Sequence, residues 1–342
     1  MTEIQMTEPH RTQPHRTEAH RTEAHRTEAH RTGTRITALG HYQPARILTN
    51  HDLAALVDTD DAWIRSRVGI DTRHIAAEDE TVDSMAAAAA EKALAHAGVD
   101  ARDIDLVLLA TCTAEHRAPN MASRTAARLG IPHPAALDVN TACSGFSHAL
   151  ALADQSLRTG ASGRALVIAS EKFSSVTDWT DRTTCILVGD GAAAAVVEPS
   201  AEPGISPVVW GSFPDRGAAV RIEGTPARFA QEGQSVFRWA TTELPALARQ
   251  VCARAGVAPE ELAAVVLHQA NLRIIEPLAA RIGAVNAVVA TDVTVSGNTS
   301  AAGVPLALSK LVAEGRVPSG APALLFGFGG GLAYAGQVVK VP

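Results

Sequence analysis

Short, wholly apolar runs alternate along this chain with longer stretches of helical character. The runs are LVLLA at 106–110, ALVIA at 165–169, AAAAVV at 192–197, AAVVL at 263–267 and ALLFGF at 323–328. Such runs read as strands sandwiched by helices. Residues 35–40, 136–139 and 287–290 read as further strands. Helices are expected over residues 60–68, 81–98, 120–130, 143–157, 243–256, 272–283 and 298–315, most of them with a glycine as the stop. Strands alternating with helices of this length define an α/β chain. The rhythm occurs twice, over 34–200 and over 201–342, as if one unit were used two times. Residues 199–235, richer in Pro, Gly and Arg, read as a connection with surface loops.

The charge balance narrows the function. The 342 residues carry 30 Lys and Arg against 36 Asp and Glu, a net charge of −6, which argues against general nucleic-acid binding. No apolar run reaches the roughly 18 residues that span a membrane, and the N-terminus lacks a secretory profile. Cys112, Cys143, Cys185 and Cys252 are 31, 42 and 67 residues apart, so no zinc or other metal site is expected. Free thiols in a chain of this size point to the cytoplasm. Residues 1–33 stand apart as a repeat of the type AHRTE, with histidines at 10, 15, 20, 25 and 30. Almost without large apolar residues, this tail is expected to be disordered.

Chemistry concentrates in DVNTACSGFS, residues 138–147. Here a strand turns into a helix at Cys143, where free N–H groups and the positive end of the helix dipole are expected to lower the thiol pKa. His268 closes a strand in VVLHQANLRII, and Asn298 opens a helix in VSGNTSAAG. Strand ends and helix starts are where α/β sheets present functional groups. Taken singly, each also reads blandly: a buried small thiol, a core imidazole, an N-cap. The order Cys, His, Asn is that of papain-like hydrolases, but their local signature is absent. Gly189-Asp190-Gly191 is followed by a strand, which rejects a dinucleotide fingerprint.

Together DVNTACSGF, GDGAAAAVV, HQANLRII, GNTSAAGVPLAL and FGFGGG resemble β-ketoacyl-acyl carrier protein synthase III, over about residues 35–342. The resemblance implies a thiolase fold, two similar α/β halves in a layered αβαβα sandwich. It implies an acyltransferase in which acyl-CoA acylates Cys143 and malonyl-acyl carrier protein is then condensed with loss of CO2. His268 and Asn298 would complete the catalytic set, and the N–H groups of Cys143 and Gly330 the oxyanion hole. Thr59, Trp63, Arg67, Arg182 and Asn271 would bind coenzyme A. Arg238, Arg273 and Arg281 would meet the acidic carrier protein, beside an Ala280 that is often basic in the family. No permanently bound cofactor is implied. A homodimer is, with the loop at 118–120 reaching toward the partner's pocket. A relative that moves the acyl group to an alcohol or amine without decarboxylation is the alternative.

The acyl pocket implied by the resemblance contains Ala118, Val188, Phe237 and Phe328. Ala118 and Val188 stand where well-known members often have Phe. The space this frees leads us to expect a starter larger than acetyl, as in polyketide-priming relatives.

Overall fold

The computed structural model describes residues 33–342. The expected disorder of the repeat tail therefore falls outside the described residues, except for Gly33, which begins the first strand. In chain order the first part contains β1 (Gly33–Tyr42), β2 (Ile47–Thr49), α1 (Asn50–Ala54), α2 (Asp61–Val68), β3 (Thr72–His74), α3 (Val82–Ala97), β4 (Leu106–Ala110), α4 (Met121–Leu129), β5 (Ala135–Val139), α5 (Gly145–Arg158), β6 (Ala165–Glu171) and β7 (Gly191–Ser200). There follow β8 (Val209–Gly211), β9 (Val220–Glu223), β10 (Arg228–Gln231), α6 (Gly233–Thr242), α7 (Leu244–Ala255), β11 (Ala264–Leu267), α8 (Leu272–Ile282), β12 (Val288–Val289), α9 (Val293–Ser296), α10 (Gly303–Ala313), β13 (Pro322–Phe328) and β14 (Tyr334–Lys340).

Two five-stranded sheets result, ordered β1-β7-β6-β4-β5 and β8-β14-β13-β11-β12. Read from the same end, both have two antiparallel pairs followed by two parallel pairs. The repeated rhythm of the sequence is thus a repeated sheet. Between the sheets lie α5 and α10, whose buried faces share one apolar core with β4, β6, β7, β11 and β13. A second core packs α3 and α4 on the outside of the first sheet. A third packs α6, α7 and α8 on the outside of the second. The succession is helix, sheet, helix, sheet, helix.

Local chemistry sets the element ends. Asp60, Thr81 and Asn120 cap α2, α3 and α4 through their side chains, and Gly69, Gly98 and Gly130 end these helices in the left-handed conformation. The alanines of α3 let it lie close against β1. A Cβ on Gly40 would sit 2.3 Å from the Ala89 carbonyl oxygen.

Three expectations need correction. The connection at 199–235 holds regular structure: β8 extends the second sheet by pairing with β14, and β9 and β10 form a two-stranded ribbon. These strands have three or four residues each, too few to carry a period. The helix expected from Asn298 begins only at Gly303, after a 3-10 turn at Ser300–Ala302. Likewise α5 begins at Gly145, after a 3-10 turn at Ala142–Ser144. Both turns contain a residue at φ 46°, Ala142 and Ser300. An α-helix cannot run through that left-handed conformation.

Gly40→Ala is expected to lower stability by about 1–3 kcal/mol through overpacking, read as an earlier midpoint in thermal or urea denaturation. An unchanged midpoint would show that α3 is free to move off β1.

Candidate active site

The turn before α5 places Cys143 between the two sheets, only 6% exposed. Its sulfur lies against the strand end of the other half. A Cβ on Gly329 would come within 2.8 Å of Cys143 Sγ, and the Gly330 N–H points at that sulfur. The Ser300 hydroxyl donates to Cys143 Sγ at 3.7 Å. Burial nevertheless dominates and pushes the thiol up, with Ser300 and the Gly330 N–H opposing the shift. The expected low thiol pKa is therefore corrected. Cys143 sits in a 3-10 turn that runs into α5, and it is buried.

Asn298 is tied to Cys143 through the next turn. Its Oδ1 accepts from the Ser300 N–H at 2.9 Å. Its backbone is clamped to the glycine-rich loop, with Asn298 N–H on Leu187 O at 2.7 Å and Gly189 N–H on Asn298 O at 3.0 Å. A Cβ on Gly189 would strike the Ser296 carbonyl oxygen at 2.1 Å. Asp190 of this loop is a structural pin that accepts from Ala76 N–H, Ser174 N–H and Ser174 Oγ. The buried Arg73 guanidinium holds the same loop through Ile186 O at 2.7 Å.

His268 follows β11 and continues its pairing, donating its N–H to Phe326 O at 2.8 Å. The ring stands edge-on to Phe328, 5.4 Å between centroids. Nδ1 is buried without a hydrogen-bond partner among the described residues, and burial pushes the imidazole down to about 3. His268 is thus neutral at pH 7. Gln269 locks the loop after it, donating to Leu267 O and Ala290 O and accepting from Val293 N–H.

Comparison with known proteins places this constellation. Residues 137–214 match the family model of 3-oxoacyl-[acyl-carrier-protein (ACP)] synthase III, and residues 252–341 match its C-terminal model. The chain is 69% identical over 313 residues to β-ketoacyl-[acyl-carrier-protein] synthase III 2 of Streptomyces avermitilis, an alignment covering 91% of this chain and 99% of the relative. The chain belongs to the β-ketoacyl-[acyl-carrier-protein] synthase III family. Synthase III 4 of Streptomyces coelicolor is likewise 69% identical, with the same coverage. Among solved structures, the priming β-ketosynthase of a polyketide biosynthetic pathway superposes with a TM-score of 0.89 at 40% identity, covering 91% of this chain and 96% of the other. The Aquifex aeolicus synthase III gives 0.86 at 38% identity, covering 90% and 100%. The fold is therefore the thiolase fold, and the protein is an acyltransferase of the condensing type.

Two cavities contain residues singled out in the sequence. One of about 450 Å³ opens beside Cys143 and is walled by Cys112, Phe173, Val220, Ile222, Phe229 and Ser300, among others. The other, about 700 Å³, is lined by Trp63, Arg67, Phe237, Arg238, Asn271 and Arg273, among others. At its rim the guanidinium carbons of Arg182 and Arg67 stand 5.1 and 5.7 Å from the Trp63 ring centroid. Thr59 Oγ1 is buried without a hydrogen-bond partner among the described residues. Arg182 also donates to Asp58 O at 2.8 Å.

Several pocket expectations are corrected. Phe237 is 39% exposed and lines the Trp63 cavity, with Arg273 over its ring at 5.9 Å. Helix α6, which was missed in the sequence, carries it outward. Phe328 packs against His268 and Trp239 and lines neither cavity. Val188 is wholly buried, its backbone bridged to Asn298. Ala118 is exposed and lines neither cavity. Asn271 does reach the larger cavity, but its Oδ1 caps α8 by accepting from Ile274 N–H. Arg238, Arg273 and Arg281 are exposed, and Arg281 is braced on the Thr241 carbonyl. The true wall of the Cys143 cavity was missed. Its residues come from the short strands at 220–231 and from the ends of β4 and β6, and of these only the strand ends were legible. Among the described residues, no group of three His, Cys, Asp or Glu is arranged to hold a metal ion.

Alkylation of Cys143 by iodoacetamide, followed by peptide mapping, is expected to rise about tenfold per pH unit through pH 8, because thiolate is scarce there. A plateau already reached at pH 7 would contradict a thiol ground state.

Proposed function

We propose that this synthase loads an acyl group from acyl-CoA onto Cys143 and condenses it with malonyl-acyl carrier protein, using a starter larger than acetyl. The observation that carries the proposal is the single sulfur shared by a closed donor corner and an apolar cavity. Gly330 N–H, Ser300 hydroxyl and Gly329 hold Cys143 on one side, and about 450 Å³ of mostly apolar space adjoins it on the other. That volume falls within the usual ligand-pocket range of about 300–1,000 Å³.

The chemistry follows from charge. Attack of the sulfur on a thioester carbonyl creates an oxyanion, and the amide donors of Cys143 and Gly330 are fixed before it appears. Loss of CO2 from the malonyl group creates an enolate. A neutral His268 and the Asn298 amide, whose oxygen is already engaged by Ser300 N–H, can offer hydrogens to that oxygen. The carbanion then attacks the acyl-Cys carbon and expels the thiolate. Splitting the reaction in two makes each step easier and predicts ping-pong kinetics.

Adenine of coenzyme A fits the Trp63 ring, where guanidinium and ring surfaces favour stacking. Thr59, Arg67, Arg182 and Asn271 surround that entrance. Exposed Arg238, Arg273 and Arg281 give an acidic carrier protein a local basic face on an acidic enzyme. A homodimer is supported by β5, an unpaired sheet edge on which Leu137 is 50% exposed. The 118–120 loop, exposed here, would then face a partner. Among the described residues no helix is long and apolar enough to cross a membrane. With the free thiols this agrees with a cytoplasmic enzyme.

Intact-mass analysis after incubation with acetyl-, butyryl-, isobutyryl- and hexanoyl-CoA tests the starter. One adduct per chain is expected, absent in Cys143→Ala, with a larger acyl group outpacing acetyl. Acetyl-CoA outcompeting all the others would overturn the starter assignment. Trp63→Ala is expected to raise KM for acyl-CoA about tenfold, on the scale of a lost cation–π and stacking contact of about 1–2 kcal/mol, while kcat is little changed. A fall confined to kcat would remove Trp63 from the binding site.

A further inference from the structure

Beneath Cys143 lies a carboxylate that the condensation scheme does not use. Glu171 ends β6 and is wholly buried. It forms no ion pair among the described residues. Its sequence neighbour Lys172 turns away to the carbonyls of Ala77, Glu78 and Glu80. The carboxylate accepts instead from Thr111 Oγ1 at 3.0 Å, Thr113 Oγ1 at 2.7 Å, Cys112 N–H at 3.1 Å, Cys112 Sγ at 3.2 Å and Ala301 N–H at 3.4 Å. The titratable groups that face it are Cys112, from the end of β4, and Cys143, from the turn before α5. The Ser300 hydroxyl stands among them. It is 3.7 Å from Cys143 Sγ and 3.4 Å from Cys112 Sγ, and Cys112 Sγ in turn donates to the Glu171 carboxylate at 3.2 Å. The left-handed backbone of Ser300, at φ 46°, is what turns its hydroxyl into this position.

A buried thiol must lose its proton to attack, and His268, neutral and without a charged neighbour to stabilise an imidazolium, is a poor acceptor. We propose that the thiol proton of Cys143 passes through the Ser300 hydroxyl and the Cys112 thiol to Glu171 as Cys143 is acylated. This inference rests on the reading of Cys143 as the acyl acceptor. As the S–C bond to the acyl carbon forms, Cys143 gives its proton to Ser300 Oγ, Ser300 gives its own to Cys112 Sγ, and Cys112 gives its own to Glu171. The bond to coenzyme A breaks, and coenzyme A leaves as a thiolate that takes a proton from water. When condensation later expels Cys143 as a thiolate, the proton returns along the same path and Glu171 is again a carboxylate. Burial raises both groups toward the uncharged form, which keeps the carboxylic acid accessible beside the thiol. Ser300 touches the reacting sulfur; Glu171 acts through Cys112 and Ser300 and is a positioning residue.

The test is the pH dependence of acylation in a single turnover, read by quench and intact mass, with acetyl-CoA and butyryl-CoA as probes. With the relay intact, wild-type acylation is expected to be flat through neutral pH. Ser300→Ala and Glu171→Gln are each expected to slow acylation at pH 7 by tenfold or more. Their rates should then climb about tenfold per pH unit and approach the wild type in alkali, where the thiol ionises unaided. A merely structural role would lower the rate by the same factor at every pH, and that result, or an unchanged profile, would overturn the proposal. Ala142 already occupies the φ of Ser300, so Ser300→Ala is compatible with the backbone and carries the test if Glu171→Gln does not fold. Alkylation of Cys143 at pH 10 checks that the sulfur is intact and reachable in each variant. No acyl adduct with either probe, or with any other acyl-CoA, in the wild type would instead refute the reading of Cys143 itself.

Discussion

The enclosure of α5 and α10 between two sheets is the constraint from which the rest of this structure follows. A helix held between two sheets must present apolar sides to both, and its neighbours must come close to leave no voids. The sequence meets this with small residues at the points of approach. A Cβ on Gly145 would lie 2.9 Å from Ala110 Cβ, and one on Gly303 would lie 3.1 Å from Gln269 Cβ. Because the helices start where the sheets end, the first turns of both open onto the same buried spot. Cys143 belongs to one of those turns and Ser300 to the other, so the contact between their side chains is a consequence of the layer packing.

The same enclosure decides the protonation states. Burial favours the uncharged form of any titratable group. It leaves Cys143 a thiol and His268 a neutral imidazole, and it raises Glu171. A neutral imidazole is the form that donates one hydrogen and has a lone pair to spare. It suits a site where an enolate appears and vanishes within one turnover. Glu171 is tolerated without a cation because hydroxyl, thiol and amide donors surround it; a carboxylate may be buried when hydrogen bonds replace its water.

Much of the fold was legible because it rests on long apolar periods. The runs at 106–110, 165–169 and 323–328 are all strands, and Gly69, Gly98, Gly130, Gly256 and Gly283 all end helices. The misses have physical causes. Strands β8, β9 and β10 are too short to show a period, and so the wall of the Cys143 cavity was hidden. Phe237 was placed in the acyl pocket by resemblance, but α6 turns it outward. At the site, the segments holding Cys143, His268 and Asn298 were found from strand ends and helix starts. Ser300 and Glu171 were not, since their meaning lies in a left-handed φ and in burial, neither of which a single sequence displays.

The repetition of the sheet also explains why two different chemistries meet at one point. In each half the parallel edge strand, β5 or β12, leads to a 3-10 turn that contains a left-handed residue and runs into a buried helix, directly in the first half and by way of α9 in the second. The two turns share the left-handed residue and the 3-10 geometry, and they differ in the side chains they carry. In the first half the left-handed residue is Ala142, which fills space and leaves the next residue, Cys143, against the cavity. In the second it is Ser300, whose hydroxyl faces that sulfur while its N–H holds the oxygen of Asn298. A left-handed alanine or serine costs of order 1–3 kcal/mol, and both strained positions lie in the turns that meet at the sulfur. One half therefore presents the thiol and the other presents the donors that surround it, each fixed by a sheet that the other half does not share. Neither set of groups can drift without unpacking the helix behind it, which keeps the thiol and its donors in register through both steps of the reaction.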